Sequence, residues 1–256
     1  METTSPVVCR LATYNIHGGR GMDKVLDLPR IAAVIQNLHA DLIAVNEIDS
    51  HCVRSDSQDQ PRLLAELLGM NHCFIPALEM RAPRFPEQGG QTGWYGSACY
   101  SPYAVTAIRH FALPGLPEME PRAAALIKVA APREFYAIVT HFCWEPKYEE
   151  FRVASVAKIN AEVRELHRSE PEIPVVLMGD LNAEPYSAPV EALRKDWDIA
   201  GEGGFQPTHP ANRPREIIDY IMLTPRKAGR FVHTVIVPEP LASDHRPLLT
   251  ELQFTA

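Results

Sequence analysis

Cysteine is scarce in this chain and scattered. Among 256 residues there are five (Cys9, Cys52, Cys73, Cys99 and Cys143), an odd number with no C-x-x-C pair. That pattern excludes a structural zinc knuckle and speaks against a disulfide framework; free thiols in a reducing compartment fit better. No apolar run reaches the roughly 18 residues that cross a bilayer. The start, Met1-Glu2-Thr3-Thr4-Ser5-Pro6, has no basic cluster and no apolar segment, so no secretory signal is expected and a cytoplasmic location is. Basic runs are missing too. Lys and Arg number 25 against 32 Asp and Glu, a formal net charge of −7. Such a balance disfavours the long-range hold on a polyanion that a processive nuclease uses. No linker or low-complexity stretch interrupts the sequence, so residues 1–256 read as one domain. No Ser or Cys stands at motif spacing from a base, which leaves direct attack by water as the simpler hydrolytic route.

What the chain does have is apolar runs that end in polar residues. Val175-Val176-Leu177-Met178 is the short continuous run of a buried strand, and it ends in Gly179-Asp180-Leu181-Asn182-Ala183-Glu184-Pro185. Side chains alternate along a strand, so Asp180 and Asn182 face the same way if the backbone stays extended. Alone, the stretch reads as readily as a turn. But the ending recurs. The run from Val7 closes on Asn15, the run from Asp41 closes on Glu47, and Glu134–Thr140 is followed by His141. Ile217-Ile218 leads into Asp219, and Asp244-His245 precedes a strand from Pro247 to Phe254.

Helical spacing appears at Ile31, Val34, Ile35 and Leu38 behind a capping Asp27, and from Pro61 to Leu68 before Gly69. It returns at Val156, Ile159, Val163 and Leu166, and briefly after Ser187. Further strands are expected at Asn71–Ala77, Trp94–Tyr100, Val105–Phe111, Ala123–Val129 and His233–Val237. Met80–Gly93 reads as a mobile surface loop and Gly201–Arg215 as a second loop. The 23 prolines predict many well-defined connections. Strand–helix–strand units in both halves, with antiparallel strands between, predict two sheets packed together and helices outside.

The polar strand ends are too many to be independent caps. Ligands in α/β architectures gather at the carboxyl ends of strands, so one shared site is expected. Glu47, with Asn15 and Asp244, offers hard oxygen ligands that suit Mg²⁺ better than zinc. Asp219 can hold His245 and raise its pKa. Asp180 can accept a proton from water while Asn182 fixes that water or a ligand oxygen. This set suits in-line attack on phosphorus. Trp94, Tyr95, Phe85 and Trp144 fall near loops, where they can stack a base, enter lipid or anchor the loop. A zinc or thiol enzyme built on His141 and Cys143 lacks further ligands at the required spacing.

Taken in order, a series of motifs resembles that of the endonuclease/exonuclease/phosphatase superfamily over residues 13–247. It begins with Thr13-Tyr14-Asn15-Ile16, Asn46-Glu47-Ile48-Asp49, Tyr95-Gly96-Ser97-Ala98 and Pro121-Arg122-Ala123-Ala124. Thr140-His141-Phe142, Gly179-Asp180-Leu181-Asn182, Ile218-Asp219-Tyr220-Ile221 and Ser243-Asp244-His245-Arg246-Pro247 complete it. The resemblance implies a four-layer α/β/β/α sandwich of two mixed sheets packed face to face. It implies Mg²⁺- or Mn²⁺-dependent hydrolysis of phosphoesters, with Glu47 the principal metal ligand and Asn15 and Asp244 beside it. Asp180 then aligns or deprotonates the attacking water, Asn182 and His141 contact the phosphate, and His245, oriented by Asp219, stabilises charge or moves a proton. Arg122 resembles the family's internal arginine, and with Tyr95 it is assigned to substrate binding.

Some positions depart from relatives. Asn46 stands where many carry Gln. Ile217-Ile218-Asp219-Tyr220 differs from the Trp-Cys-Asp-Arg motif of inositol polyphosphate 5-phosphatases. His141 stands where abasic-site endonucleases carry Tyr, and resembles the deoxyribonuclease and sphingomyelinase branches instead. The expected substrate is a phosphoester, either nucleic acid or a lipid or small molecule, with no obligate protein partner. A non-catalytic scaffold is the alternative, because a fold alone does not prove turnover.

Overall fold

Alternation along each strand assigns the layers. In the computed structural model, which describes residues 7–255, the first strand β1 (Val8–Asn15) sends Cys9 and Leu11 into a core between two sheets. Its Ala12 and Tyr14 enter a separate core beneath helices. The chain continues through α1 (Leu28–Leu38), β2 (Leu42–Ser50), α2 (Gln60–Leu68), β3 (Asn71–Met80), β4 (Gly93–Ser101), β5 (Val105–Ala112) and β6 (Ala123–Val129). Then come β7 (Phe135–His141), α3 (Glu149–Ser169), β8 (Val175–Asp180), α4 (Ala188–Arg194) and β9 (Asp198–Ile199). β10 (Asp219–Thr224), β11 (Gly229–Ile236) and β12 (Leu248–Phe254) close it.

The strands form two six-stranded sheets, ordered β11-β12-β1-β2-β4-β3 and β5-β6-β7-β8-β10-β9. Each has a parallel pair at its centre, β1/β2 joined through α1 and β7/β8 joined through α3. The flanking pairs are antiparallel. Ile31, Ile35 and Leu38 of α1 and Leu64 of α2 cover the outer face of the first sheet. Val156, Ile159 and Val163 of α3, with Val190 and Leu193 of α4, cover the second. The result is two mixed sheets face to face with helices outside, the four-layer α/β/β/α sandwich. Each fully buried Val, Leu or Ile contributes about 1.5–3 kcal/mol, so these three cores hold the strand ends in place.

Local signals end the helices as the sequence predicts. The Asp27 carboxylate accepts from Arg30 N at 2.9 Å ahead of α1, and Gly69 at φ 64° closes α2. Several boundaries differ from expectation. The strand expected from Val7 starts at Val8. β2 does not stop at Glu47 but runs on to Ser50, and β3 continues past Ala77 to Met80. β11 starts at Gly229 rather than His233, because it pairs with β12 along its full length. The two-residue β9 is too short for its sequence to show. The segment expected to be a mobile loop is pinned: Gln88, on a 3-10 turn (Pro86–Gln88), is buried, accepts from Val53 N at 2.6 Å and donates to His51 O at 3.2 Å. The stretch Met1–Pro6, from which no secretory signal was expected, lies outside the described residues. Among those residues no helix is long and apolar enough to cross a membrane.

Candidate active site

The site is the polar end of the core between the sheets. The side chains that fill this core from β7, β8 and β10 are Ala137 and Val139, Val176 and Met178, and Ile221 and Leu223. The next inward positions at the same end of the sheet carry His141 and Asp180, at the ends of β7 and β8, and Asp219, at the start of the antiparallel β10. Register places these three side by side, His141 opposite Asp180 and Asp180 opposite Asp219. Across the sandwich, Asn15 follows Cys9, Leu11 and Thr13 on β1 and pairs with Asn46 on β2. A polar row from one sheet therefore faces a polar row from the other, above a dry floor.

Two backbone features complete the row. Asn46 pairs with Ser97 and Ile48 with Gly96, so Glu47 is the extra residue of a β-bulge, held at φ 58°. A left-handed conformation in a non-glycine residue costs about 1–3 kcal/mol and persists where packing enforces it. Here Ile48 returns to the outer core while the Glu47 side chain lines the cavity. Gly179 lies at φ 143°, where a Cβ would stand 1.9 Å from Thr140 O. No other residue fits there. Asn46 spans the two sheets: its Oδ1 accepts from Asp180 N, and its Nδ2 donates to Thr140 O and Ser97 Oγ, each at 2.8 Å.

These elements enclose a cavity of about 590 Å³ lined by Glu47, His141, Asp180, Asn182, Asp244 and His245, with Tyr95 and Arg122 in the same wall. Asn15 and Asp219 stand just behind it. Asn15 Nδ2 donates to Glu47 Oε1 at 3.0 Å and to Asp180 Oδ2 at 3.1 Å. The polar strand ends singled out from the sequence thus line this cavity or, for Asn15 and Asp219, lie directly behind it. Asp180 and Asn182 do so without the extended backbone expected between them: Asn182 sits at φ 47°, with its N donating to Asp180 Oδ1 at 2.8 Å.

The two histidines are pushed in opposite directions. His245 Nδ1 donates to Asp219 Oδ2 at 2.8 Å, and its Nε2 lies 3.7 Å from Asp180 Oδ2. Burial opposes its cation, but the Asp219 carboxylate, helped by Asp180 and Asp244, outweighs burial and lifts the pKa to about 10. Asp219 is itself fixed by Thr208 Oγ1 at 2.6 Å. His141 is held well below its ordinary value by burial, by Arg122 and by the His245 charge. One imidazole is thus a cation and the other neutral, the separation that gives two like groups different tasks. Burial and the neighbouring Asp219 charge raise Asp180 to about 7, into the range useful for a base.

His141 also fixes the substrate wall. Its Nε2 is 3.0 Å from Asn182 Nδ2, and its Nδ1 is 3.3 Å from Arg122 Nη1. Arg122 is buried, pairs with Glu120 at 2.8 Å and donates to Tyr95 Oη at 3.3 Å. So Arg122 stands behind His141 and Tyr95 as much as beside the cavity.

Two donor sets compete for a cation. Asp180, Asp219 and His245 offer ligand atoms within 4.8 Å of one another. That trio is unsuitable: His245 is driven to its cationic form, and Asp219 Oδ2 already accepts two hydrogen bonds. Glu47 and Asp244 are part-exposed carboxylates facing the same cavity with hard oxygens; among the described residues neither pairs with Lys or Arg, and His17 Nδ1 lies 3.6 Å from Asp244. They fit Mg²⁺ or Mn²⁺. Asn15 fits less simply, since its Oδ1 accepts from His17 N at 3.1 Å and its Nδ2 faces Glu47. An amide rotation brings the oxygen round.

Sequence reasoning missed several neighbours. His209, whose Nδ1 is 2.6 Å from Glu216, packs against His245 with ring centroids 4.7 Å apart and planes tilted by 38°. The bridge between His209 and Glu216 forms only in the fold, so no local pattern announces it. Asp49 stood in a quoted motif, but its partner Arg54 had no signal beyond sequence proximity. Of the aromatic residues, Trp144 lines the cavity and is exposed, whereas Phe85 packs with Leu78, Met80 and Tyr95.

A two-sheet sandwich whose facing polar rows bring carboxylates and imidazoles to one cavity is the architecture of a phosphoester-cleaving fold class. A model of the endonuclease/exonuclease/phosphatase family matches residues 12–245, and the chain belongs to that family. A search of curated proteins finds no match. Among solved structures, an endonuclease/exonuclease/phosphatase from Beutenbergia cavernae is similar at 23% identity and TM-score 0.75, covering 97% of this chain and 72% of that one. A mannosyl-6-phosphatase from Bacteroides thetaiotaomicron is similar at 18% identity and TM-score 0.76, covering 96% and 100%. The human Nocturnin catalytic domain, solved with a sulfate anion, is similar at 17% identity and TM-score 0.68, covering 98% and 97%.

Proposed function

We propose that this chain is a divalent-metal-dependent phosphoesterase that cleaves its substrate by in-line attack of water. Family membership supports hydrolysis at a phosphoester bond. The observation that carries the reading is the position of Asp180. It lies between the His245–Asp219 pair and His141, and shares the Asn15 amide with Glu47.

Glu47 and Asp244, with Asn15, would hold Mg²⁺ or Mn²⁺, which would neutralise phosphate charge and make water a better nucleophile. Asp180 aligns the water and takes its proton. Asn182 and neutral His141 donate to the phosphate oxygens. Cationic His245, fixed by Asp219, faces the charge that develops on phosphorus oxygens and needs no reorganisation as it does so. Arg122 and Tyr95 hold the wall against which the substrate sits. The free thiols among the described residues support a reducing, cytoplasmic setting. Carboxylates at the cavity, Glu47, Glu120, Glu216 and Asp244, favour a compact phosphoester over a long nucleic acid.

The test is turnover of bis(p-nitrophenyl) phosphate and p-nitrophenyl phosphate with Mg²⁺ and with Mn²⁺. Activity should vanish in chelator, and Glu47→Ala and His245→Ala should each lower kcat by about 10²–10³-fold, the range seen for losing one preorganised group. Unchanged turnover in chelator and in both variants sinks the mechanism, and no turnover with either ion leaves the scaffold reading.

A further inference from the structure

We propose that Arg54 is a second, fixed anion-binding group in this cavity, and that the substrate carries a second phosphate beyond the one that is cleaved. The inference rests on the phosphoesterase reading and extends it to substrate class.

Arg54 is rooted in a buried acid. Its Nε and Nη2 each donate to Asp49 at 2.8 Å, one to each oxygen, and Asp49 is 1% exposed. A carboxylate buried to that degree requires a partner, and a two-point pair fixes the plane of the guanidinium as well as its position. Asp49 is held in turn, since its N donates to Gln60 Oε1 at 3.0 Å and Gln60 Nε2 donates to Gly18 O at 2.7 Å.

The backbone around Arg54 is equally constrained. It lies on a 3-10 turn, Val53–Ser55. Val53 N donates to the buried Gln88, Ser55 N donates to Cys52 O at 3.0 Å, and Arg20 Nη2 donates to Arg54 O at 3.0 Å. Above the fork, the guanidinium lies 5.1 Å from the centroid of the buried Tyr95 ring.

A purely structural arginine spends its donors on protein. Arg30 places Nη1 and Nη2 on Asp23 and Val25 O, and Arg152 places both on backbone carbonyls. Arg54 does not. Its Nη1 has no protein partner among the described residues, and its side chain, 49% exposed, lines the cavity. Two N–H groups are therefore presented at the cavity wall on a guanidinium that cannot swing away.

Tyr95 sets where this donor stands. Arg122, whose guanidinium lies 5.8 Å from the same ring centroid, reaches both Tyr95 Oη and His141 Nδ1 through its Nη1. Arg54 is thus one aromatic residue removed from the side chains proposed to meet the scissile phosphate. A group held there is not the reacting one. A phosphate suits a forked, permanent cation with a free Nη1 at the cavity wall.

The experiment is calorimetric binding in Mg²⁺ to wild type and to Arg54→Gln. One arm compares thymidine 3′,5′-bisphosphate with thymidine 5′-monophosphate; the other compares inositol 1,4-bisphosphate with inositol 1-phosphate. Wild type should prefer the bisphosphate by about tenfold or more in at least one arm, as one charge-assisted contact implies. The responding arm identifies a nucleotide or a polyol source. Arg54→Gln should erase the preference, and Arg54→Lys, which keeps the charge without the fork, should restore part of it. Thermal midpoints of both variants, taken alongside, separate a lost contact from a lost fold. No preference in either arm, or a preference that survives in Arg54→Gln and Arg54→Lys alike, overturns the proposal. Failure of the catalytic reading shows separately, as wild type that binds with this pattern yet does not turn over bis(p-nitrophenyl) phosphate.

Discussion

At the scale of single residues, the site works by placing charges where burial opposes them. His245 is a cation in the fold up to about pH 10, against about 6.5 in an unfolded chain. Its contribution to stability is fully present below about pH 6.5 and is lost as pH rises through 10. Asp180 has the same slope for the opposite reason. Raised to about 7, it keeps a proton that the unfolded chain gives up near pH 4, so stability falls as pH climbs from about 4 to 7. In chelator, the thermal midpoint should therefore be highest on the acid side and decline from pH 6.5 to 10. His245→Gln should flatten the upper part, losing roughly 5 °C less than wild type between pH 7 and 10. Parallel curves for the two proteins would show that Asp219 does not hold His245 charged. Asp180 was legible in the sequence because it ends an apolar run on an inward-facing position, and His245 because it stands in a polar pair just ahead of one. His209, Thr208 and Arg54 were not, because their partners reach them only through turns whose geometry no periodicity records.

At the scale of elements, the site depends on how strands are joined as well as on the loop that carries Asp244 and His245. Helices were the most readable parts, since a capping Asp27 and a closing Gly69 bracket clear apolar spacing. The bulge at Glu47 was not readable: the apolar run Leu42–Val45 reads as a strand that ends at Glu47, and only pairing against Ser97 and Gly96 exposes the extra residue. Asn46 holds that bulge against the second sheet. Its amide satisfies Asp180 N, Thr140 O and Ser97 Oγ, all buried. Asn46→Ala strands these groups, and at about 1–3 kcal/mol for each unsatisfied buried group the loss should be about 3 kcal/mol or more. For a chain of this size that lowers the thermal midpoint by about 6–12 °C. Turnover should fall as well, because Glu47 and Asp180 are set by the two strands it joins. A midpoint within about 2 °C of wild type would mean that water replaces the amide and the sheets need no such tie.

At the scale of the molecule, each sheet repeats one plan, a parallel pair with its crossover helix and antiparallel strands on either side, and the site forms where the two plans meet. Charge is distributed to match. The net −7 was plain in the sequence, but the pairing was not: Arg30, Arg62, Arg109, Arg122 and Arg194 are each engaged by Asp or Glu, which removes five cations from any track for a polyanion. A long strand reaching this cavity meets Glu47, Glu120, Glu216 and Asp244 around two or three cationic groups. Each phosphate neutralised on single-stranded DNA contributes about 0.7 to the slope of log affinity against log salt. Fluorescence anisotropy with a labelled 30-residue oligonucleotide in Mg²⁺, between about 50 and 200 mM salt, should therefore give a slope no steeper than about −2. A slope steeper than about −4 requires a basic track that this surface does not show, and would move the substrate from compact phosphoesters to long nucleic acid.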